Sequence, residues 1–187
     1  EKLANEAIYK NIPLKIWTPS PEELPKAVEF AHSHGVKVHV TVNTMPRNEE
    51  AAQLPAYLEQ LQDAGVDALI VADLGAFMLA GKYAPKCERH ISTQQSIANF
   101  ECAKAWYELG AQRVVLAREL SLEEIRTIRQ KTPSDLEIEA FVHGAMCISY
   151  SGRCLMSNYL TNRDSNGGAC VQACRWAWEV REVGRDD

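Results

Sequence analysis

No run of about 20 consecutive apolar residues occurs in this chain of 187 residues, so a membrane-spanning helix is not expected. A charged n-region and apolar h-region before a small-residue cleavage site are also missing, and residue 1 reads as a mature or truncated start. Linkers and low-complexity tracts are absent, and no Gly-rich phosphate turn follows any strand-like segment. A net charge of −5 argues against a surface built wholly for polyanions, though it leaves local patches open. Cysteine is scarce, at six residues, and Cys87 and Cys102 stand apart with no disulfide-rich scaffold around them. That pattern suits a reducing compartment, so a cytoplasmic location is expected.

What is present is ordinary soluble composition, 46% apolar and 24% charged, enough for one domain with a real core. A repeated unit of helix, glycine, strand and polar tip runs through it. Ser20, Pro21 and Glu23 mark a helix start, with Glu23 three residues after the cap, and Gly35 ends that helix. Valines at 36, 38, 40 and 42 then read as a strand closing at Asn43. Helical spacing over 54–64, 75–82, 99–109 and 122–130 alternates with apolar runs at 68–72, 89–92, 113–116 and 138–142. Five short strands, apolar enough to be buried on both faces, alternate with helices. This predicts an α/β fold with a parallel sheet, a (β/α) barrel in preference to an open doubly wound sheet. Five strands do not close a barrel of eight, and Leu14 to Trp17, read as a further strand, does not make up the shortfall. The expected organisation is an atypical segment over 1–19, β/α units of a partial barrel over 20–146, and a cysteine-rich metal-binding segment over 147–187.

In a parallel barrel the C-terminal strand ends form the active face. Here they supply Asn43, Asp73, His90, Ser92, Gln94, Arg118, Glu119 and His143, a mixture able to bind a polar ligand and move protons. The plainer roles stand beside this one: Asp73 as cap of the next helix, Arg118 and Glu119 as an ion pair, His143 as a satisfied core histidine. His32 and His34 read as solvated helix-end residues, and His39 as a strand residue facing the helical layer.

Cys147, Cys154, Cys170 and Cys174 fall close together, separated by six, fifteen and three residues. Cys170 and Cys174 loosely match one zinc knuckle, whereas Cys147 and Cys154 do not. Four thiolates at irregular spacing also suit an iron–sulfur cluster. Spacing alone leaves iron–sulfur, zinc and no metal open, and an even cysteine count keeps disulfides arithmetically open. Arg153 and Arg163 add cations near the sulfurs that stabilise thiolates or bind an anion. Cys87 and Cys102 read as small buried hydrophobes.

Phe141-Val142-His143-Gly144-Ala145-Met146-Cys147 and Ser151-Gly152-Arg153-Cys154-Leu155-Met156-Ser157 resemble the signature of the collagenase-like peptidase family U32. Asn162-Arg163-Asp164, Gly168-Ala169-Cys170 and Cys174-Arg175-Trp176 extend the match, as do the strand ends at Asn43, Asp73, 90–94 and 116–120. The resemblance covers about residues 22–178, closest to the branch of prephenate-dependent tRNA hydroxylation proteins. It implies a [4Fe–4S] cluster ligated by Cys147, Cys154, Cys170 and Cys174, with zinc the runner-up, and C5 hydroxylation of the tRNA wobble uridine. In that reading Asn43, Gln94, Arg118, Arg153 and Arg163 bind substrate, and Asp73, Glu119 or His143 moves protons. The older peptidase label implies a nucleophile and base in contact, such as Ser92 or Ser151 near His143. A non-catalytic, metal-stabilised module that binds RNA or a protein implies cysteines far from the polar strand tips. The strands that open the family's barrel are not matched here. The chain thus reads as part of a longer barrel that a missing segment or a second chain completes, and it can be inactive by itself.

Overall fold

The computed structural model describes residues 20, 22–144, 146–150 and 153–179. The expectations for 1–19, including the strand at Leu14 to Trp17, and those for Pro21 and Ser151, lie outside these residues.

Five strands form one parallel sheet: β1 (His39–Val42), β2 (Ala68–Val71), β3 (Glu88–Ile91), β4 (Arg113–Val115) and β5 (Glu137–Glu139). Their spatial order is the chain order, with no reversal. Right-handed crossovers taken always in one direction place the connecting helices on one face, as in a barrel wall. A doubly wound sheet would reverse order at a switch point. The sheet is not closed: β1 and β5 each keep a free edge among the described residues. The architecture is an incomplete (β/α) barrel.

The helices are α1 (Glu23–Ser33), α2 (Asn48–Asp63), α3 (Leu74–Tyr83), α4 (Phe100–Glu108), α5 (Leu122–Lys131) and α6 (Met156–Thr161). Alternation along the strands sends Val40, Val42, Leu69, Val71, Ile91 and Val114 into the layer shared with Leu58, Leu61, Phe77 and Ile128. Each of those large side chains contributes about 1.5–3 kcal/mol on burial. Helix starts follow their capping residues. Ser20 N–H donates to Glu23 Oε2 at 2.9 Å and Glu23 N–H donates back to Ser20 Oγ at 3.3 Å. The same reciprocal pair joins Ser121 and Glu124.

Several boundaries differ from the sequence reading, three of them by three residues or more. β1 begins at His39 because Val36 N–H closes α1 onto the Ala31 carbonyl and Val38 N–H is taken by Asp67 Oδ2. α2 begins six residues earlier than expected and runs through Pro55, which forfeits a single helical hydrogen bond. β5 ends at Glu139, whose carbonyl accepts from Leu116 N–H at 2.9 Å beyond the end of β4. Phe141 to His143 therefore lie beyond the sheet.

The opposite face of the sheet is largely polar, with Ala68, Ile70 and Val115 as its apolar members. His39, Thr41, Glu88, His90, Arg113, Glu137 and Glu139 alternate with the apolar set, so His39 points away from the helical layer it was expected to face. Its ring meets the His90 ring edge-on at 5.0 Å. His90 is 1% exposed and hydrogen-bonds through Nε2 to Glu88 Oε2 at 2.9 Å, which leaves Nδ1 buried without a partner. Burial pushes this imidazole down to about 4, more than the Glu88 hydrogen bond lifts it. His32, expected to be merely solvated, pairs with Asp67 at 2.8 Å.

Candidate functional site

Beyond β5 the chain returns across the C-terminal strand ends. Several contacts fasten this returning segment. Met45 N–H donates to the Asn166 carbonyl at 3.1 Å, Arg47 pairs with Asp164 at 3.7 Å, and Arg153 Nη1 donates to Ser96 Oγ at 2.9 Å. Inside the segment Ser157, 1% exposed, is the hub. Its Oγ donates to the Arg163 carbonyl at 2.7 Å and accepts from Val171 N–H at 3.2 Å. Ser165 Oγ donates to the Cys154 carbonyl at 2.6 Å.

Between the strand ends and this segment lies a cavity of about 320 Å³. Asn43, Ser92, Gln94 and Arg118 line it from the sheet, and Cys147, Cys154, Cys170 and Cys174 line it from the returning segment. Two buried polar atoms on lining residues have no partner, Gln94 Oε1 and Arg118 Nε. One is an acceptor and the other a donor, so a ligand presenting both would satisfy them. Arg118 is further held with its guanidinium 5.8 Å from the Phe141 ring.

The remaining expected residues lie elsewhere. Asp73 accepts from Ala76 N–H at 2.8 Å, capping α3, and does not line the cavity. Glu119 and His143 are exposed and off the wall, and no ion pair joins Glu119 to Arg118 among the described residues. Arg153 and Arg163 are exposed and stand outside the lining. Ser157, Ser165, Asn166, Gln172 and Arg175 do line it and were not proposed as site residues. Nothing in periodicity marks them; Ser157 and Arg175 stand inside the matched motifs around Cys154 and Cys174, which was the signal available.

All six cysteines are free in this structure. Among the described residues the cavity wall carries four thiols and no carboxylate or imidazole. Thiol-only donors suit zinc or an iron–sulfur centre, and Arg118 and Arg175 on the same wall offset the negative charge that such a centre carries. Gln172 N–H points at Cys170 Sγ at 3.3 Å, a contact that favours an electron-rich sulfur. By donor chemistry the wall fits such a group. Among the described residues, however, no three cysteine, histidine or carboxylate side chains already converge on a single ion position.

Ser92 Oγ accepts from Gln94 N–H at 3.3 Å, and no histidine bonds it among the described residues, so the peptidase reading finds no nucleophile–base pair there. The non-catalytic reading expected thiols remote from the strand tips, whereas they share one cavity with Asn43, Gln94 and Arg118. No helix among the described residues is long and apolar enough to cross a membrane.

Comparison with known proteins agrees with this geometry. The family model described as Peptidase family U32 matches residues 18–187. The tRNA hydroxylation protein P1 of Bacillus subtilis is 49% identical over 162 residues, 87% of this chain and 38% of that protein. The tRNA hydroxylation protein P of Escherichia coli is 45% identical over 166 residues, covering 89% and 36% respectively. The chain thus spans a little over a third of the length of these relatives. A U32 peptidase of solved structure shares the fold with a TM-score of 0.57 at 24% identity, over 70% of this chain and 55% of that one.

Proposed function

The chain belongs to peptidase family U32, and on that premise we propose that it forms the redox and base-binding part of a tRNA hydroxylase, acting at C5 of the wobble uridine in a prephenate-dependent manner. Similarity to proteins named for tRNA hydroxylation supports the RNA direction. The observation that carries the reading is the shared cavity, with four thiols on one side and the unpaired Gln94 Oε1 and Arg118 Nε on residues of the other.

Cys147, Cys154, Cys170 and Cys174 would hold a [4Fe–4S] cluster, which supplies electron transfer that no amino-acid side chain provides. The rest falls to the chain itself. A uracil edge offers one N–H between two carbonyl oxygens. Gln94 Oε1 accepts from that N–H, and Arg118 donates to a flanking oxygen through its planar fork. Asn43 and Ser92 bound the same wall and fix the plane of the base. Arg175, whose Nη2 donates to the Met146 carbonyl at 2.9 Å, keeps positive charge beside the thiols and the incoming phosphate. An anticodon loop presents its bases unpaired, so little energy is spent extracting the target.

Anaerobic purification with iron, sulfide and zinc quantification tests the cofactor. About four irons per chain are expected, lost in Cys154→Ala; zinc in their place overturns the redox part. Nucleoside analysis of tRNA from a strain lacking the gene tests the substrate. Loss of the C5-hydroxylated uridine is expected, and an unchanged profile overturns the RNA assignment. Restoring the gene with Gln94→Ala or Arg118→Ala should leave the modification missing while iron content stays intact.

A further inference from the structure

Trp176 and Trp178 sit where a soluble protein rarely leaves tryptophan. They are 47% and 54% exposed, whereas Trp106 is 9% exposed and packs edge-on against Phe77 in the core. Trp176 has extended backbone, with φ −72° and ψ 159°. Residues two apart on extended chain share a side at about 6–7 Å spacing. The two indoles accordingly lie near-parallel, 6.1 Å apart and 20° between planes. They are also fixed in place: Trp178 Nε1 donates to the carbonyl of Ala173, a buried residue of the cavity wall, at 2.9 Å. Cys174 and Arg175, immediately before Trp176, line the same cavity.

The cavity beside the pair carries positive charge. Arg118 and Arg175 line it, and no carboxylate does among the described residues. Exposed aromatic faces adjoining a wall that carries guanidinium groups are the features that hold single-stranded nucleic acid, the rings taking bases and the cations taking phosphates. A protein partner would be served by the rings and gain nothing from this charge bias.

We propose that Trp176 and Trp178 are a stacking platform for an unpaired RNA base flanking the one that enters the cavity. The proposal rests on the RNA reading above and specifies how the strand is held. Stacking tolerates any base, so the platform supplies affinity and register, while Gln94 and Arg118 discriminate.

The test is fluorescence anisotropy of a short fluorescein-labelled oligouridylate with anaerobically purified wild-type protein and with Trp176→Ala, Trp178→Ala, Trp176→Phe and Trp178→Phe. Each alanine variant is expected to bind about ten-fold more weakly, each phenylalanine variant to keep most of the affinity, and iron content to be unchanged. Trp176 makes no side-chain hydrogen bond among those described, so Trp176→Ala remains informative if Trp178→Ala fails to fold. Wild-type binding that survives both alanine substitutions overturns the platform and leaves the RNA reading standing. Absence of wild-type binding overturns both. Acrylamide quenching of wild type against Trp176→Phe supplies the remaining arm: an indole already shielded in the RNA-free protein is covered by protein, and that result overturns the platform.

Discussion

Arg153 reaches across 57 residues of sequence to donate from Nη1 to Ser96 Oγ at 2.9 Å, tying the cysteine-bearing segment to the loop after β3. Ser96 holds a left-handed backbone, φ 52°, at that point. An arginine assigned from sequence to substrate therefore makes a contact that fixes the roof of the cavity. Arg153→Ala is expected to cost about 1 kcal/mol of stability and to lower iron retention more than Arg163→Ala. Equal retention in the two variants, measured after dialysis, would count against this role.

Stability should fall on acidification because of His90. Its folded value, about 4, lies below the ordinary 6.5 because burial disfavours the charged ring. The unfolded chain thus binds a proton that the folded chain refuses. The contribution is complete above pH 6.5 and is lost as pH falls through about 4, for a total of about 3 kcal/mol. His39, also lowered by burial and by Arg113, adds in the same direction, while Glu88 opposes both. Urea midpoints should drop between pH 7 and pH 5, and His90→Gln should flatten that slope; a parallel slope in the variant would remove His90 as its source.

Thiol labelling should divide the cysteines. Burial pushes the Cys87 thiol up to about 11, and its Sγ–H donates to the Val66 carbonyl at 3.1 Å. In metal-free protein at pH 8, iodoacetamide should modify Cys147, Cys170 and Cys174 well before Cys87. A loaded cluster should protect the cavity thiols as a set. Mass spectrometry of the labelled peptides reads both outcomes.

Gly110 should not tolerate a side chain. It has φ +99°, and a Cβ there would collide with the Arg89 guanidinium, which donates to the Gly110 carbonyl at 3.0 Å and lies 4.3 Å from the Phe77 ring. Gly110→Ala is expected to cost about 2–3 kcal/mol. Gly35→Ala, with φ +70° but open space around it, should cost less. Chemical denaturation of the two variants makes the comparison.

The regular part of this fold was legible because its cues are local. Valine alternation, Ser121 with Glu124, and glycines ending helices each act within a few residues, and they located the strand–helix succession. Ends that depend on a distant neighbour were not legible. β1 starts at His39 and not at Val36, with Val38 N–H taken by Asp67 Oδ2, which no property of residues 36–38 reveals. The site divided along the same line. Asn43, Gln94 and Arg118 follow from strand polarity and do line the cavity, as do the four cysteines. Asp73 and Glu119 satisfy the same rule and yet stand off the wall, Asp73 as a helix cap and Glu119 in solvent. Strand polarity gives the level of a residue along the barrel axis but not its bearing around it. Ser157 and Asn166 escaped notice because a buried hydroxyl and a backbone carbonyl become informative only after the chain has folded back.

The Met45–Asn166 hydrogen bond joins positions near opposite ends of the described chain. Such a distant closure comes late, since the loop between must order first. On a translating ribosome the chamber has no roof until nearly all of this region has emerged. Whatever occupies it therefore enters only after the cysteine segment itself has been made and has folded back.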